Sequence, residues 1–283
     1  MVKQPALYLV GTPIGNLSDI SPRVARTLES VDLIAAEDTR NTLKLLNHLG
    51  IKKPMISYFE HNKRQRGEEI LARIRAGDTV ALVTDAGMPA VSDPGEDLVR
   101  LVVQNGYEVT AVAGPCALIC GLILSGLPTG RFCFEGFLSV NKKSRAEHLD
   151  ALKNETRTMI FYESPQKLCR TLADLCGAFG GDRPAALIRE ISKLHEETCR
   201  GTLAELAARQ EETPPRGEYV VVVGGRQTPV TEETFWQTMT LRQHVDHYRA
   251  LGMPKNDAIK AAAKDRGAKK SDVYAEYVKA ENV

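Results

Sequence analysis

The feature that most restricts how this chain can fold is a regular alternation, through its first 130 residues, of apolar runs with amphipathic segments. The runs at 6–11, 33–37, 55–59, 79–85 and 108–113 are short, aliphatic or β-branched, and bounded by turn residues, which predicts strands. The stretches between them, at 22–30, 39–49, 63–75, 95–105 and 116–124, carry helical patterning. Strands that alternate with helices build βαβ units, hence a mostly parallel sheet. Such sheets hold ligands beyond the carboxyl ends of their strands, where the strand order switches. A site is therefore expected on the loops that follow Val10, Val83 and Val112.

The pattern changes after Gly126-Leu127-Pro128-Thr129-Gly130, whose glycines and proline mark a boundary. Strands are predicted at 131–137, 158–162, 185–190, 197–201 and 218–223, with helices at 145–152, 165–179 and 202–210. Where strands follow each other without a helix, antiparallel pairing is expected, hence a mixed sheet. After Val230 no strand run appears, and helices are predicted at 232–250, 256–265 and 271–279. The last two, joined through Gly267, have the arrangement of a helix-turn-helix. The organisation predicted is α/β: an N-terminal parallel domain over 1–126, a mixed second domain over 131–228 and a short helical C-terminal extension over 230–283. That tail is only weakly basic, so it reads either as a nucleic-acid-contacting unit or as a cap on the second domain.

Composition narrows the partners. With 43% hydrophobic and 26% charged residues the chain can bury a sizeable core, which excludes a wholly disordered or collagen-like protein. The 37 Lys and Arg nearly cancel the 36 Asp and Glu, so any nucleic-acid footprint must be a local patch. No apolar run reaches about 18 residues, so no membrane-spanning helix is predicted. The start, from Met1 to Ala6, lacks the charged, apolar and cleavage regions of a secretion signal, and a cytoplasmic protein is expected. Cys116, Cys120, Cys133, Cys169, Cys176 and Cys199 form no C-x-x-C pair and no zinc-like spacing with histidine. Reduced thiols and no metal site are expected.

Of the three loops, Gly11-Thr12-Pro13-Ile14-Gly15-Asn16 has glycines that let the backbone approach a ligand. It is not the G-x-G-x-x-G of dinucleotide binders, and Pro13 removes one N–H donor. In the second loop, 84–95, Asp93 is expected to cap the following helix with Pro94 at its first position. Asp85-Ala86-Gly87-Met88-Pro89 has no such duty, and its small-residue bend suits a flat apolar ligand lying on the backbone. Ala113-Gly114-Pro115-Cys116-Ala117-Leu118 repeats the combination. None of the three contains a P-loop lysine, so a nucleoside-like ligand is expected before a triphosphate.

These loops belong to blocks that carry a resemblance. Val10–Leu17, Ala36-Glu37-Asp38-Thr39-Arg40, the Asp85–Gly95 loop, Ala113–Ala117, Phe161-Tyr162-Glu163-Ser164-Pro165 and Arg189–Glu197 lie in order along the chain. Together they resemble the tetrapyrrole methylase superfamily. The AEDTR, FYESP and 189–197 strings are similar to one branch of it, the 16S ribosomal RNA cytidine 2′-O-methyltransferases. The resemblance implies two α/β domains with S-adenosylmethionine folded into the cleft between them, and a homodimer. It implies methylation of the ribose 2′-oxygen of a decoding-centre cytidine, with 16S ribosomal RNA or the small ribosomal subunit as partner. The cofactor bed is then expected at Pro13, Ile14, Ala86, Gly87, Pro89, Val91, Gly114, Pro115, Cys116, Ala117 and Tyr162, held largely by backbone. The chain departs from the branch at Met88, where threonine is usual, at Cys116-Ala117, which replaces a serine-containing pair, and at Ile191-Ser192, which replaces Leu-Thr.

Methyl transfer to a hydroxyl needs the oxygen held in line with the methyl, a group to take the proton, and a donor to stabilise alkoxide character. Glu37 or Glu163 is expected to take or relay the proton, with Arg40 and Lys193 orienting the ribose-phosphate and His61 the next candidate. Plainer readings stand beside these: Asp38 as a helix cap, Glu37–Arg40 as an i,i+3 ion pair, Lys193 as a solvated lysine. Lys63, Arg64 and Arg66 in one half, and Lys142, Lys143 and Arg145 in the other, are expected to take RNA phosphates, although charge runs are more often solvated faces. Two other functions stay open. Methylation of a tetrapyrrole or other small molecule leaves the basic loops unexplained, and a non-catalytic RNA-binding ribosome-assembly module leaves the complete cleft loops unexplained.

Overall fold

The computed structural model describes residues 5–226, 236 and 238–281. The chain falls into two compact units, divided after residue 227. The first unit opens with a sheet of β1 (Leu7–Val10), β2 (Leu33–Ala36), β3 (Met55–Ser57), β4 (Val80–Val83) and β5 (Val109–Val112). Its order is β3-β2-β4-β1-β5 and every pair is parallel, as the alternation predicts. Helices α1 (Pro22–Ser30), α2 (Thr39–Leu49), α3 (Lys63–Arg75) and α4 (Glu96–Gln104) connect the strands. Val24, Leu28 and Leu46 cover one face against Val10, Ile34 and Val83. Ile70, Ile74, Leu98 and Val102 cover the other against Leu7, Leu33 and Leu82. Burial on both faces is why these strands read as continuous apolar runs without alternation.

Local signals set the helix starts. Ser21 accepts the Val24 N–H at 3.2 Å with Pro22 following, and Asp38 accepts the Arg40 N–H at 2.8 Å. The fourth helix corrects an expectation. It starts at Glu96 behind Gly95, with no side-chain cap, so Asp93 and Pro94 are not its cap and first residue. The loop folds back too tightly for that: a Cβ on Gly95 would stand 3.0 Å from the Ala90 nitrogen and from Leu82 Cδ2.

Helix α5 (Ala117–Ser125) leads to the second sheet, of β6 (Phe132–Phe137), β7 (Thr158–Glu163), β8 (Pro184–Arg189), β9 (Glu197–Thr202) and β10 (Tyr219–Val223). Its order is β6-β7-β10-β8-β9, parallel only between β6 and β7 and antiparallel elsewhere. The mixed pairing agrees with the strand spacing. Helices α6 (Lys142–Ala151), α7 (Pro165–Phe179) and α8 (Leu203–Glu212) bury one face over Met159, Phe161, Leu187 and Val221. The other face receives α5, whose Leu118 and Leu122 pack on Ile160, Ile188, Val220 and Val222. Gly121 permits that approach, since a Cβ there would stand 2.6 Å from Val220 Cγ1. A helix that follows the first sheet in sequence therefore belongs to the core of the second.

The sixth helix begins at Lys142, three residues before the expected start, because Asn141 accepts the N–H groups of Lys143 and Ser144 at 3.0 and 3.2 Å. In the second unit α9 (Leu241–Ala250), α10 (Lys255–Asp265) and α11 (Lys270–Glu281) surround Val245, Ile259, Ala262, Val273 and Tyr277. The helix expected from 232 begins instead at Leu241, where Thr240 and Gln243 form a capping box. Residues 232–235 and 237 of that expectation lie outside the described residues. Among the described residues no helix is long and apolar enough to cross a membrane.

Candidate active site

Strands β4, β1 and β5 are neighbours, so the loops that leave their carboxyl ends lie side by side. Thr12 N–H donates to the Gly87 carbonyl at 2.9 Å and Gly87 N–H returns to Thr12 at 3.1 Å, which zips the first loop to the second. Gly11 and Gly114 bring the first and third into backbone contact, since a Cβ on Gly11 would stand 2.7 Å from Gly114 Cα. Gly87 holds φ +84°, a conformation that side chains with a Cβ resist.

These loops and the ends of the second sheet enclose a cleft of about 400 Å³, within the range of small-molecule sites. Ile14, Ala86, Gly87, Met88, Val91 and Asp93 line it from the first sheet, and Cys116 and Ala117 from the start of α5. Phe137, Tyr162, Glu163, Ile191, Lys193 and Glu218 line it from the second. Among the described residues four non-glycine residues hold positive φ, and all lie in two loops of this wall: Ala90 and Ser92 at +66°, Glu190 at +51° and Ser192 at +65°. Left-handed backbone costs on the order of 1–2 kcal/mol per such residue and persists where the surrounding structure enforces it, often at functional sites.

The charged groups of the wall are not equivalent. Lys193 Nζ donates to Glu190 Oε1 at 2.9 Å and to Glu218 Oε2 at 3.0 Å. Burial opposes its charge, but the two carboxylates outweigh it, so Lys193 is a fixed cation. Glu163 is buried and fully engaged: Oε1 accepts the Ser164 N–H at 2.8 Å and Oε2 accepts Thr171 Oγ1 at 2.6 Å. Asp93 is half-buried, and burial, with Glu37 and Asp85 adding like charge, pushes its carboxyl up to about 7. Glu37 accepts the Asp85 N–H at 3.3 Å, and burial, foremost, raises it too. The Tyr162 phenol is also raised, chiefly by burial, and its oxygen accepts the Leu118 N–H at 2.9 Å.

The structure thus gathers some of the expected site residues and separates others. Ile14, Ala86, Gly87, Val91, Cys116, Ala117 and Tyr162 line the cleft, as do Glu163 and Lys193. Pro13 faces a smaller hollow with Leu17, Asn41 and Asp85, while Pro89, Gly114 and Pro115 stand outside the wall. Glu37 sits behind it, beside Asp85. Arg40 is 86% exposed and clamps Asp38 at 2.6 Å; the i,i+3 pair with Glu37 is not formed, because Asp38 lies closer to hand. Asp93, Met88, Phe137, Ile191 and Glu218 were not among the expected site residues.

The basic runs divide as well. Lys142 and Lys143 are exposed at the head of α6, and Arg64 is exposed on α3. Arg145 is a correction: it is buried, with Nε 2.5 Å from Asp174 and a guanidinium N–H donating to Thr171 at 2.8 Å, and cannot reach a phosphate. The early helix start turns it inward. Lys63 is paired with Glu60 and Asp97, and Arg66 with Glu69. Among the described residues no group of His, Cys, Asp or Glu is placed to hold a metal ion.

Two sheets with a cleft at the carboxyl ends of a parallel one, walled by small-residue bends, define a class that comparison identifies. The profile of the Tetrapyrrole (Corrin/Porphyrin) Methylases matches residues 6–207. The solved uroporphyrin-III C-methyl transferase from Thermus thermophilus complexed with S-adenyl homocysteine shares the fold at TM-score 0.55 and 19% identity, covering 77% of this chain and 96% of that one. Ribosomal RNA small subunit methyltransferase I of Halalkalibacterium halodurans is 46% identical over 269 residues, 95% of this chain and 93% of the relative. That of Synechocystis is 44% identical over 268 residues, 95% of each. The chain belongs to the tetrapyrrole methylase family, within its group of ribosomal RNA small subunit methyltransferases I.

Proposed function

We propose that this protein methylates the ribose 2′-oxygen of a decoding-centre cytidine in 16S ribosomal RNA, with S-adenosylmethionine as methyl donor. The near-full-length likeness to relatives named for ribosomal RNA methylation supports the reading. The observation that carries it is the cleft itself, where three small-residue loops leave room over Gly87 and one lysine stands in the wall. The residues present fit such a cofactor. The Gly87 cradle suits a nucleoside, and Ile14, Val91, Ala117 and Tyr162 offer apolar surface to its rings. When bound, the cofactor supplies a methyl group on a positively charged sulfur, so the leaving group needs little assistance.

The work left to the chain is positioning and proton transfer. Lys193, held by Glu190 and Glu218, orients the ribose-phosphate and stabilises alkoxide character on the 2′-oxygen. Lys142, Lys143 and Arg64 take backbone phosphates from outside the cleft. The halves over 1–126 and 131–228 act as the two domains that enclose the cofactor, in a homodimer whose state sedimentation equilibrium would establish.

The test offers labelled S-adenosylmethionine and the protein to small ribosomal subunits from cells lacking this methylation. Label should enter 16S RNA as a single 2′-O-methylcytidine that resists alkaline cleavage. Absence of label from the RNA, with transfer to a tetrapyrrole instead, would overturn the reading.

A further inference from the structure

We propose that the hollow formed by Arg189, His195 and Arg216 binds a backbone phosphate of the RNA strand beside the target nucleotide; the proposal rests on the function read above. The hollow holds about 280 Å³ and is lined by these three residues with Glu190 and Gly217. It backs onto the cleft. Glu190, in its wall, accepts Lys193 Nζ at 2.9 Å, and Gly217 is followed by Glu218, which lines the cleft with Lys193. A strand whose ribose lies at Lys193 therefore has only this ridge to cross for a neighbouring phosphate to enter the hollow.

The ridge is a fixed structure. Glu190 N–H donates to the Glu218 carbonyl at 3.0 Å, and Glu218 N–H returns to Glu190 Oε1 at 2.9 Å. Gly217 holds φ +77°, and a Cβ there would stand 2.5 Å from Glu190 Cγ, so the two loops meet with no space between them. Pro214 and Pro215 stiffen the turn that carries Arg216. Cations from the end of β8 and from two loops are thus held around one concavity before any ligand arrives, which lowers the cost of binding.

The charges of the hollow are unbalanced. Arg216 and His195 are exposed, and among the described residues neither side chain has a hydrogen-bond or ion-pair partner. Arg189 reaches Glu197 at 3.3 Å and donates to the His195 carbonyl at 3.5 Å, but Glu197 is held more closely by Arg209, at 2.8 Å. The other carboxylates nearby are also engaged, Glu190 and Glu218 by Lys193 and Glu196 by the Ser192 N–H. Arg189 Nε is buried without an acceptor, one of three such side-chain atoms among the described residues and the only one on a charged group. Buried polar groups are normally satisfied, and an unmet donor on a guanidinium calls for an anionic acceptor. Two guanidinium forks match phosphate oxygens, and an RNA strand supplies these in series.

The experiment measures binding of the full-length protein to small ribosomal subunits over a range of salt concentrations. Arg216→Ala with His195→Ala should weaken binding about tenfold, the scale of a charge-assisted hydrogen bond. The slope of affinity against salt should flatten by about 0.7–0.9, one phosphate contact. Arg216→Lys keeps the charge without the fork, so it should keep the slope and recover only part of the affinity. Calorimetric affinity for S-adenosylhomocysteine should be unchanged in all three proteins. Affinity and slope equal to those of the unaltered protein overturn the proposal, and Arg216→Ala alone decides if the double variant does not fold. Inorganic phosphate should give no saturable heat with the protein alone, because a free ion lacks the other contacts of the strand. Saturable binding that the double variant loses would make the hollow a site for the free ion and overturn the assignment to RNA. If the unaltered protein binds the subunits without methylating them, the function has failed and the slope still decides the hollow; if it does not bind them, both have failed.

Discussion

The phenol oxygen of Tyr162 accepts the backbone N–H of Leu118 at 2.9 Å, so the last turn of a second-sheet strand holds the first turn of the helix that leaves the first sheet. Phe134 and Phe137 pack edge-on against the Tyr162 ring, with centroids at 4.9 and 5.6 Å, and fix its direction. The start of α5, with Cys116 and Ala117 in the cleft wall, is therefore placed by the opposite half of the unit.

Tyr162→Phe keeps the ring and removes the acceptor. The stranded N–H should destabilise the protein by about 1–3 kcal/mol, read as a lower urea midpoint at unchanged slope. Affinity for S-adenosylhomocysteine should fall with it, because the α5 start loosens. An unchanged midpoint would mean that water replaces the phenol and that the tie has no energetic role.

Gly87 and Gly11 should fail differently. Gly87→Val combines a disfavoured φ of +84° with methyl groups directed toward Ile14 and Pro115, and should abolish binding of S-adenosylhomocysteine in a folded protein. Gly11→Ala would drive a Cβ to 2.7 Å from Gly114 Cα and 2.6 Å from Met88 Sδ, so the loops must part. It should lower stability by about 1–3 kcal/mol, the scale of overpacking, as well as affinity. Calorimetry and thermal melts on both variants separate the two outcomes, and a Gly87→Val protein with normal affinity would move the cofactor elsewhere.

Much of this arrangement was legible in the sequence, and the misses share a cause. The parallel first sheet, the mixed second sheet and the three loops follow from runs that each hold their meaning locally. Asp93 was read as a cap because Asp-Pro before a helix is a strong local signal, whereas its neighbours Glu37 and Asp85 come from other strands. Glu163 lies where expected, but Thr171 on α7 and the Ser164 N–H engage it, which no spacing in the FYESP string reveals. Arg145 went the same way, through Asp174 and Thr171 on α7. Sequence pattern located the residues; their partners come from packing between elements.

Arg145 and its neighbours should therefore separate cleanly. Arg145→Ala leaves Asp174 and Thr171 without their donor and should cost about 2–4 kcal/mol of stability. Lys142→Ala with Lys143→Ala touches only exposed side chains and should leave the melt unchanged. It should instead weaken binding to the small subunit RNA and reduce the salt slope by about one to two, since each lost phosphate contact releases fewer counterions. A salt slope equal to that of the unaltered protein would return this loop to the role of a solvated face.

The helical unit should respond to acid through His244. Its ring is buried, stacks on Trp236 at 5.5 Å, and lies 3.2 Å from Asp265 through Nε2. Arg266 Nε donates to its Nδ1 at 3.1 Å, which assigns the proton to Nε2 and the neutral form to the ring. Burial, then the Arg266 charge, hold the imidazole below its ordinary value despite Asp265. A depressed histidine binds its proton more readily when unfolded, so the stability it confers is complete above about pH 6.5 and is lost as pH falls toward and through the folded value. Between about pH 6.5 and that folded value the loss approaches about 1.4 kcal/mol per pH unit, and it stops growing once the folded ring is itself protonated. Hydrogen exchange followed residue by residue should show α9–α11 losing protection between pH 7.5 and 5, while strands β4 and β10 do not. In His244→Gln, which cannot titrate, that difference should vanish. A pH response that persists in the glutamine variant would show that His244 is not its source.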